Sequence, residues 1–189
     1  VSDLFDKPAL RTRLRALRRT LAAENPEAGA QAAMWLPLDR LPRYRVYALY
    51  HPRGSEIDPA PLFRPLGMNG AAPTLPVAVD RDGPLQFRLW SDRMPLEPDA
   101  FGVPAPQPVM PAMTPELVIA PVLGFDRRGG RLGQGGGHYD RTLANLRARA
   151  PVFVIGLAFS GQEVSELPLE PHDQRLDAIL TETEYIEVG

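Results

Sequence analysis

Apolar positions along this chain follow two rhythms. Leu10, Leu14, Leu17 and Leu21 recur at helical spacing, with Arg11, Arg13, Arg15, Arg18 and Arg19 over the remaining faces. That pattern predicts an amphipathic helix opening at Asp6 as N-cap with Pro8 in its first turn, the arginines forming a solvated face. A second short helix is expected from Pro26 through Trp35, ending near Pro37. Elsewhere the apolar residues run together, at Arg45–Tyr50, Leu117–Leu123 and Val152–Phe159, with a last short run at Ala178–Thr181. Runs of this length and composition suit strands buried on both faces. Pro73–Val79 and Leu85–Trp90 read as two strands joined by the turn Asp80-Arg81-Asp82-Gly83. The proline-crowded stretch from Met94 to Pro115 shows no periodicity and is expected to be a long ordered loop, with Phe101, Val103, Val109 and Met110 to bury. Another helix is expected from Tyr139 to Arg149, with Leu143 and Leu146 inward. The fold class that follows is α/β: one open, mixed, mostly parallel sheet with helices on both faces.

The densest punctuation lies between the Leu117 run and the Tyr139 helix, at Gly129-Gly130-Arg131-Leu132-Gly133-Gln134-Gly135-Gly136-Gly137. A strand, then glycines, then a helix start aims backbone N–H groups and a helix dipole at one spot, and phosphate is the usual occupant. This is neither of two better-known loops. No Lys follows the glycines as a Walker loop needs, and His138 stands where a dinucleotide fingerprint would place its last glycine.

Composition narrows the chemistry. The 189 residues suit one domain spanning 1–189, and the absence of cysteine removes disulfides, thiolate metal sites and Cys nucleophiles. The apolar runs are too short for a membrane span, and the charged start of the chain does not resemble a signal peptide. A soluble, cytoplasmic protein without membrane attachment is expected. A net charge of -2 offers no broad footprint for nucleic acid. Lys7 is the only lysine in the chain, and it lies one helical turn from Arg11 on the same side, so both can reach one polyphosphate. Lone survival of a lysine by chance weighs equally.

Other candidates sit where strands end. His51 and Glu56 follow the Arg45–Tyr50 strand, either as ligand groups or as a turn histidine and a helix-entry carboxylate. A nucleoside triphosphate brings Mg²⁺, for which Asp140 and Asp173 are available carboxylates; Asp140 also suits a plain helix-dipole role. His51, His138 and His172 lack zinc-ligand spacing, and Ser160-Gly161 lacks a nucleophile elbow.

Taken in order, Lys7-x-x-Leu10-Arg11, Gly54-Ser55-Glu56-Ile57, Leu75-Pro76-Val77, Phe125-Asp126-x-x-Gly129, Arg131-Leu132-Gly133-x-Gly135-Gly136-Gly137-His138-Tyr139-Asp140-Arg141, Ile155-Gly156-Leu157-Ala158-Phe159 with Gln162, Leu167-Pro168, His172-Asp173 and Thr181-Glu182 resemble the 5-formyltetrahydrofolate cyclo-ligase (5,10-methenyltetrahydrofolate synthetase) family over nearly the whole chain. The resemblance implies ATP- and Mg²⁺-dependent closure of 5-formyltetrahydrofolate to 5,10-methenyltetrahydrofolate, with ADP and phosphate released. It assigns Lys7, Arg11 and the run Arg131, Leu132, Gly133, Gln134, Gly135, Gly136, Gly137, His138 and Tyr139 to ATP, with Arg131 and Tyr139 catalytic. His51, Glu56 and Gln134 through His138 fall to the folate, polyglutamylated forms included, and Asp140 and Asp173 to Mg²⁺. A monomer is expected. Two positions depart from the family pattern: His138 stands where Tyr is usual, and Ala105 where an acidic residue follows the proline. Two other readings stand beside this one. A sugar-phosphate isomerase or acyl-transfer enzyme would turn over without ATP, and a nucleotide- or folate-binding module would bind both ligands without product.

Overall fold

The computed structural model describes residues 6–189. Helix α1 (Lys7–Glu24) and helix α2 (Ala28–Trp35) precede strand β1 (Val46–Ala48). A 3-10 turn at Ala60–Leu62 runs into α3 (Phe63–Gly67), and the hairpin β2 (Ala72–Val77) and β3 (Gln86–Leu89) follows. Next come β4 (Leu96–Pro98), β5 (Pro104–Pro106), β6 (Leu117–Pro121), β7 (Gly124–Phe125) and β8 (Arg131–Leu132). Helix α4 (His138–Arg147), β9 (Phe153–Leu157), a 3-10 turn at Ser160–Gln162, β10 (Ala178–Leu180) and β11 (Tyr185–Glu187) complete the order.

Seven strands form one sheet in the order β11-β10-β9-β6-β1-β2-β3. The five central strands are parallel, and β3 and β11 are antiparallel edges. The side-chain period of two divides the apolar runs between the two faces. Tyr47, Leu117, Ile119, Ile155, Leu157, Ala178 and Leu180 pack with Ala28 and Ala32 of α2 and Leu62 and Leu66 around α3. Ala48, Val118, Ala120, Val154 and Ile179 pack on the other side with Leu143 of α4. Continuous apolar strands are the consequence of covering both faces. No helix among the described residues is long and apolar enough to cross a membrane.

Three expectations are corrected. The Met94–Pro115 stretch is not a plain loop, because β4 and β5 pair within it. Asp99 organises their turn by accepting the N–H groups of Phe101 and Val103, and Gly102 supplies a φ of 75°. The chain also continues past β10 into the edge strand β11, which the sequence pattern did not reveal. Finally, the arginines of α1 are not all solvated: Arg18 is buried, whereas Leu17 is 37% exposed.

The order of strands fixes where a site can form. From β1 the chain moves to β2 on one side, and later returns to place β6 on the other, so a crevice opens beyond the carboxyl ends of β1 and β6. Gln162 holds that end together. It is fully buried, accepts the Phe159 N–H at 2.8 Å, and donates to the carbonyls of Val122 and Leu123 at 3.0 and 2.7 Å. Gln162→Leu leaves three buried backbone groups without partners, and is expected to cost about 3 kcal/mol. A lowered urea midpoint at unchanged m-value is the predicted reading, and an unchanged midpoint contradicts this role.

Candidate active site

A cavity of about 380 Å³ occupies the crevice. Its walls bring together every residue singled out from the sequence: Lys7, Arg11, His51, Glu56, Arg131 through Asp140, and Asp173. The β2–β3 and β4–β5 hairpins close one side with Ala78, Leu85, Asp99, Phe101 and Val103. Phe101 and Val103 were expected only as residues to bury, and none of the five was expected at the site.

The glycine stretch is built differently from a strand that empties straight into a helix. Chain from β6 turns through β7, which pairs with β8, so Gly129 and Gly130 form the tip of a small hairpin. The buried Asp126 carboxylate binds that tip by accepting the N–H groups of Arg128 and Gly130, and it reaches the Leu167 N–H at 2.9 Å. Only residues 133–137 form the open loop before α4. Gly135 and Gly137 adopt φ values of 105° and 67°, conformations costly for any residue with a Cβ. Gly137 is the N-cap of α4, and Asp140 lies in its first turn.

Helix α1 lies beside this loop and grips it. The Arg11 Nε donates to the Gly133 carbonyl at 3.0 Å, and Arg15 donates to both the Gln134 side chain and its carbonyl, at 2.9 and 3.0 Å. Lys7, Arg11, Arg15 and Arg18 thus share a stripe at helical spacing. Arg15 and Arg18 were missed as site-related residues, although their offsets of eight and eleven from Lys7 carried the signal.

Cations and carboxylates are paired across the cavity. Lys7 Nζ lies 3.0 Å from Glu170 and 2.8 Å from Asp173. Burial alone would lower the Lys7 pKa, but the hydrogen bonds to Asp173 and Glu170 outweigh it and the value is raised. For Asp173, burial opposes ionisation, yet the bonds from Lys7 and the Glu170 N–H hold its carboxyl below the usual range. Its contribution to stability is therefore present above the ordinary Asp pKa and is lost as pH falls through the depressed value. Asp173→Asn is expected to lower Tm at neutral pH, with the difference from the parent protein shrinking as acid protonates Asp173 below the ordinary Asp range. A Tm gap that stays as wide in acid contradicts the assignment.

Arg131 is buried and faces Asp140 at 2.8 Å, with its guanidinium 5.7 Å from the centre of the Tyr139 ring. Burial raises the pKa of the Tyr139 phenol, with the Glu56 charge adding to it, so the group stays a neutral hydrogen-bond donor. Asp140 also accepts the Gln174 N–H at 3.0 Å. Among the described residues, Glu170, His172 and Asp173 bring ligand atoms within 4.8 Å of one another, a grouping that includes only one of the two carboxylates expected to serve a metal. Glu56 accepts the Arg53 N–H at 2.9 Å and pairs with Arg18 at 3.6 Å. His138 packs edge-on against Phe101, their ring centroids 5.3 Å apart. Ala105 is 2% exposed on β5, its methyl group packed into the core rather than lining the cavity.

Four cavity residues carry a sequestered polar atom with no hydrogen-bond partner among the described residues: His51 Nδ1, Arg131 Nε, His138 Nε2 and Tyr139 OH. Such orphans are rare in a folded core and mark a place where polar partners arrive from outside. Along α1, Lys7 and Arg11 stand over Glu170, Asp173 and the glycine loop, an end that suits a polyanion. About two turns further on, Arg18 stands over Glu56 beside Tyr50, an end that suits a flat heterocycle with N–H donors.

Known proteins resemble this chain in sequence and fold. A 5-formyltetrahydrofolate cyclo-ligase of Mycolicibacterium smegmatis is 36% identical over 183 residues, covering 93% of each chain. One from Haemophilus influenzae is 32% identical over 178 residues, covering 90% of this chain and 95% of its own. The solution structure of Aquifex aeolicus 5,10-methenyltetrahydrofolate synthetase superimposes with a TM-score of 0.76 at 27% identity, covering 96% of this chain and 92% of its own. Because the family profile matches residues 4–182, a span that includes the whole cavity, the chain belongs to the 5-formyltetrahydrofolate cyclo-ligase family.

Proposed function

We propose that this protein is a ligase that closes 5-formyltetrahydrofolate to 5,10-methenyltetrahydrofolate, drawing on ATP and releasing ADP and phosphate. The observation that carries the reading is the two-ended cavity, cationic and glycine-lined at one end and bearing a buried carboxylate at the other.

The formyl oxygen of an amide is a poor leaving group. Its conversion to a phosphate ester by the γ-phosphoryl group breaks the bond to ADP and leaves the formyl carbon electrophilic. N10 then adds to that carbon, loses its proton, and the C–O bond breaks with phosphate carrying off the original formyl oxygen. Little acid–base machinery is needed; position and charge matter most. Lys7 and Arg11 bind the phosphates, with Lys7 leaving Glu170 and Asp173 as it does so. Arg131, held by Asp140 and stacked near Tyr139, presents a fixed positive charge to the phosphoryl group in transit. Tyr139 donates a hydrogen bond, and residues 134–138 lie between the two substrates, where His138 stacks and donates in place of the usual Tyr. His51 and Glu56 orient the pterin, the carboxylate accepting from its N–H edge.

Mg²⁺ supplies charge neutralisation at the phosphate oxygens when bound. The residues present fit it, since Asp173 and Asp140 are carboxylates at the cationic end whose present partners are Lys7 and Arg131, the same groups that phosphate attracts. Residues 1–189 are read as one domain acting as a cytoplasmic monomer. Polyglutamylated folates are also accommodated, their anionic tails meeting surface arginines such as Arg53 or Arg88.

Mixing the protein with 5-formyltetrahydrofolate, ATP and Mg²⁺ is expected to produce the near-ultraviolet absorbance of the methenyl product, and omission of ATP or Mg²⁺ to abolish it. Absorbance growth without ATP would contradict the reading.

A further inference from the structure

Arg18 is the one arginine of α1 that is buried, and the reaction as described gives it no task. Its Nε donates to Ser55 Oγ at 3.1 Å, while its NH1 lies 3.6 Å from Glu56 Oε1 and has no hydrogen-bond partner closer than that among the described residues. Both side chains of the pair are 8% exposed. An arginine free to choose would close on the carboxylate with two parallel hydrogen bonds. Here the Ser55 tether holds the guanidinium at one remove. Glu56 therefore feels a positive charge at 3.6 Å from Oε1 without a bidentate pair, and Oε2 accepts the Arg53 N–H.

From this geometry we infer that Arg18, tethered by Ser55, is a positioning residue that keeps Glu56 an open acceptor for the paired N–H donors of the folate's pterin edge. The inference rests on Glu56 being the folate acceptor.

The groups facing Glu56 are Arg18 from α1, Arg53 in its own loop, Tyr50 beyond β1 and Tyr139 from α4. Burial raises the Glu56 pKa, and the Arg53 N–H and the Arg18 charge oppose that rise. Loss of the Arg18 charge lifts the Glu56 pKa further. The carboxylate then takes up its proton at a higher pH than in the parent protein, and folate binding weakens with it.

The test compares KM for 5-formyltetrahydrofolate and for ATP across pH ~5.5–8.5, about 1.5 units either side of neutrality, in the parent protein, Arg18→Gln and Arg18→Lys. In Arg18→Gln the inflexion of the folate KM profile is expected to move up by about one pH unit, giving a roughly tenfold higher folate KM on its acid side. The ATP profile is expected to stay in place, and Arg18→Lys to return the folate inflexion toward that of the parent. An equal rise in folate KM at every pH, or equal rises for both substrates, overturns the inference. Ser55→Ala provides a second arm should Arg18→Gln fold poorly. With the tether gone, Arg18 closes on Glu56, so folate KM rises while the inflexion moves down; an unchanged folate KM overturns the tether. Glu56→Gln separates the two levels: folate KM unaltered by that change removes Glu56 from folate binding, whereas a raised KM there with no profile shift in Arg18→Gln removes Arg18 alone.

Discussion

Arg131→Lys is expected to lower kcat by about 10²-fold at saturating substrates while leaving folate KM within about twofold, the size seen when a preorganised charge-stabilising donor is misplaced. The side chain is only 3% exposed and is fixed from two sides, by Asp140 at 2.8 Å and by the Tyr139 ring. A charge already in place needs no reorganisation as the phosphoryl group crosses from ADP to the formyl oxygen. Lysine retains the ion pair and so the fold, but its single ammonium lacks the planar fork that can hold Asp140 and a phosphoryl oxygen together. Arg131→Met would confound the result, because it leaves the sheltered Asp140 carboxylate without a charge partner and destabilises the α4 end of the site. Steady-state kcat beside a thermal melt of the same preparation decides the matter. A kcat within twofold of the parent at unchanged Tm would remove Arg131 from the transfer step.

Lys7→Ala is expected to raise KM for ATP by about 10- to 100-fold, the loss of one or two charge-assisted hydrogen bonds, with folate KM changed by less than about twofold. In the ligand-free protein Lys7 bridges Glu170 and Asp173, both beside the cavity. In the proposed mechanism nucleotide phosphate competes for this ammonium, and Glu170 and Asp173 would then be free to hold a divalent cation. Removal of Lys7 therefore weakens nucleotide binding without disturbing the pterin end. Arg15 differs, because it already holds the Gln134 side chain and carbonyl and is expected to act on the shape of the loop. Equal losses for ATP and folate would refute a phosphate role for Lys7.

Much of the sheet was legible because the runs at Leu117–Pro121 and Phe153–Leu157 are apolar at every position, as strands covered on both faces must be. The hairpin of β2 and β3 was legible from its turn residues. The short pairs β4–β5 and β7–β8 were not, since two or three residues carry no period, and tertiary partners such as Asp99 and Asp126 stabilise them. In α1, Leu10 and Leu14 turn inward as the spacing predicted, but the next inward position belongs to Arg18 rather than Leu17. A sequence pattern ranks leucine above arginine there; only the presence of Ser55 and Glu56, 37 and 38 residues further on, reverses the order. The glycines, the lone lysine and the strand-end residues of the cavity were legible because each has few structural uses, whereas the wall made by Ala78, Leu85, Asp99, Phe101 and Val103 was not. The partners were not: that Arg131 holds Asp140 and Lys7 holds Asp173 follows from distances that no spacing encodes.

Formation of product alone does not say which oxygen is phosphorylated, and the account turns on that point. 5-Formyltetrahydrofolate labelled with ¹⁸O in the formyl group, turned over once with excess protein, ATP and Mg²⁺, places the question in the mass of the released phosphate. The predicted result is phosphate carrying one ¹⁸O, since the formyl oxygen departs with the transferred phosphoryl group. Unlabelled phosphate, with the label recovered in water, would contradict the account.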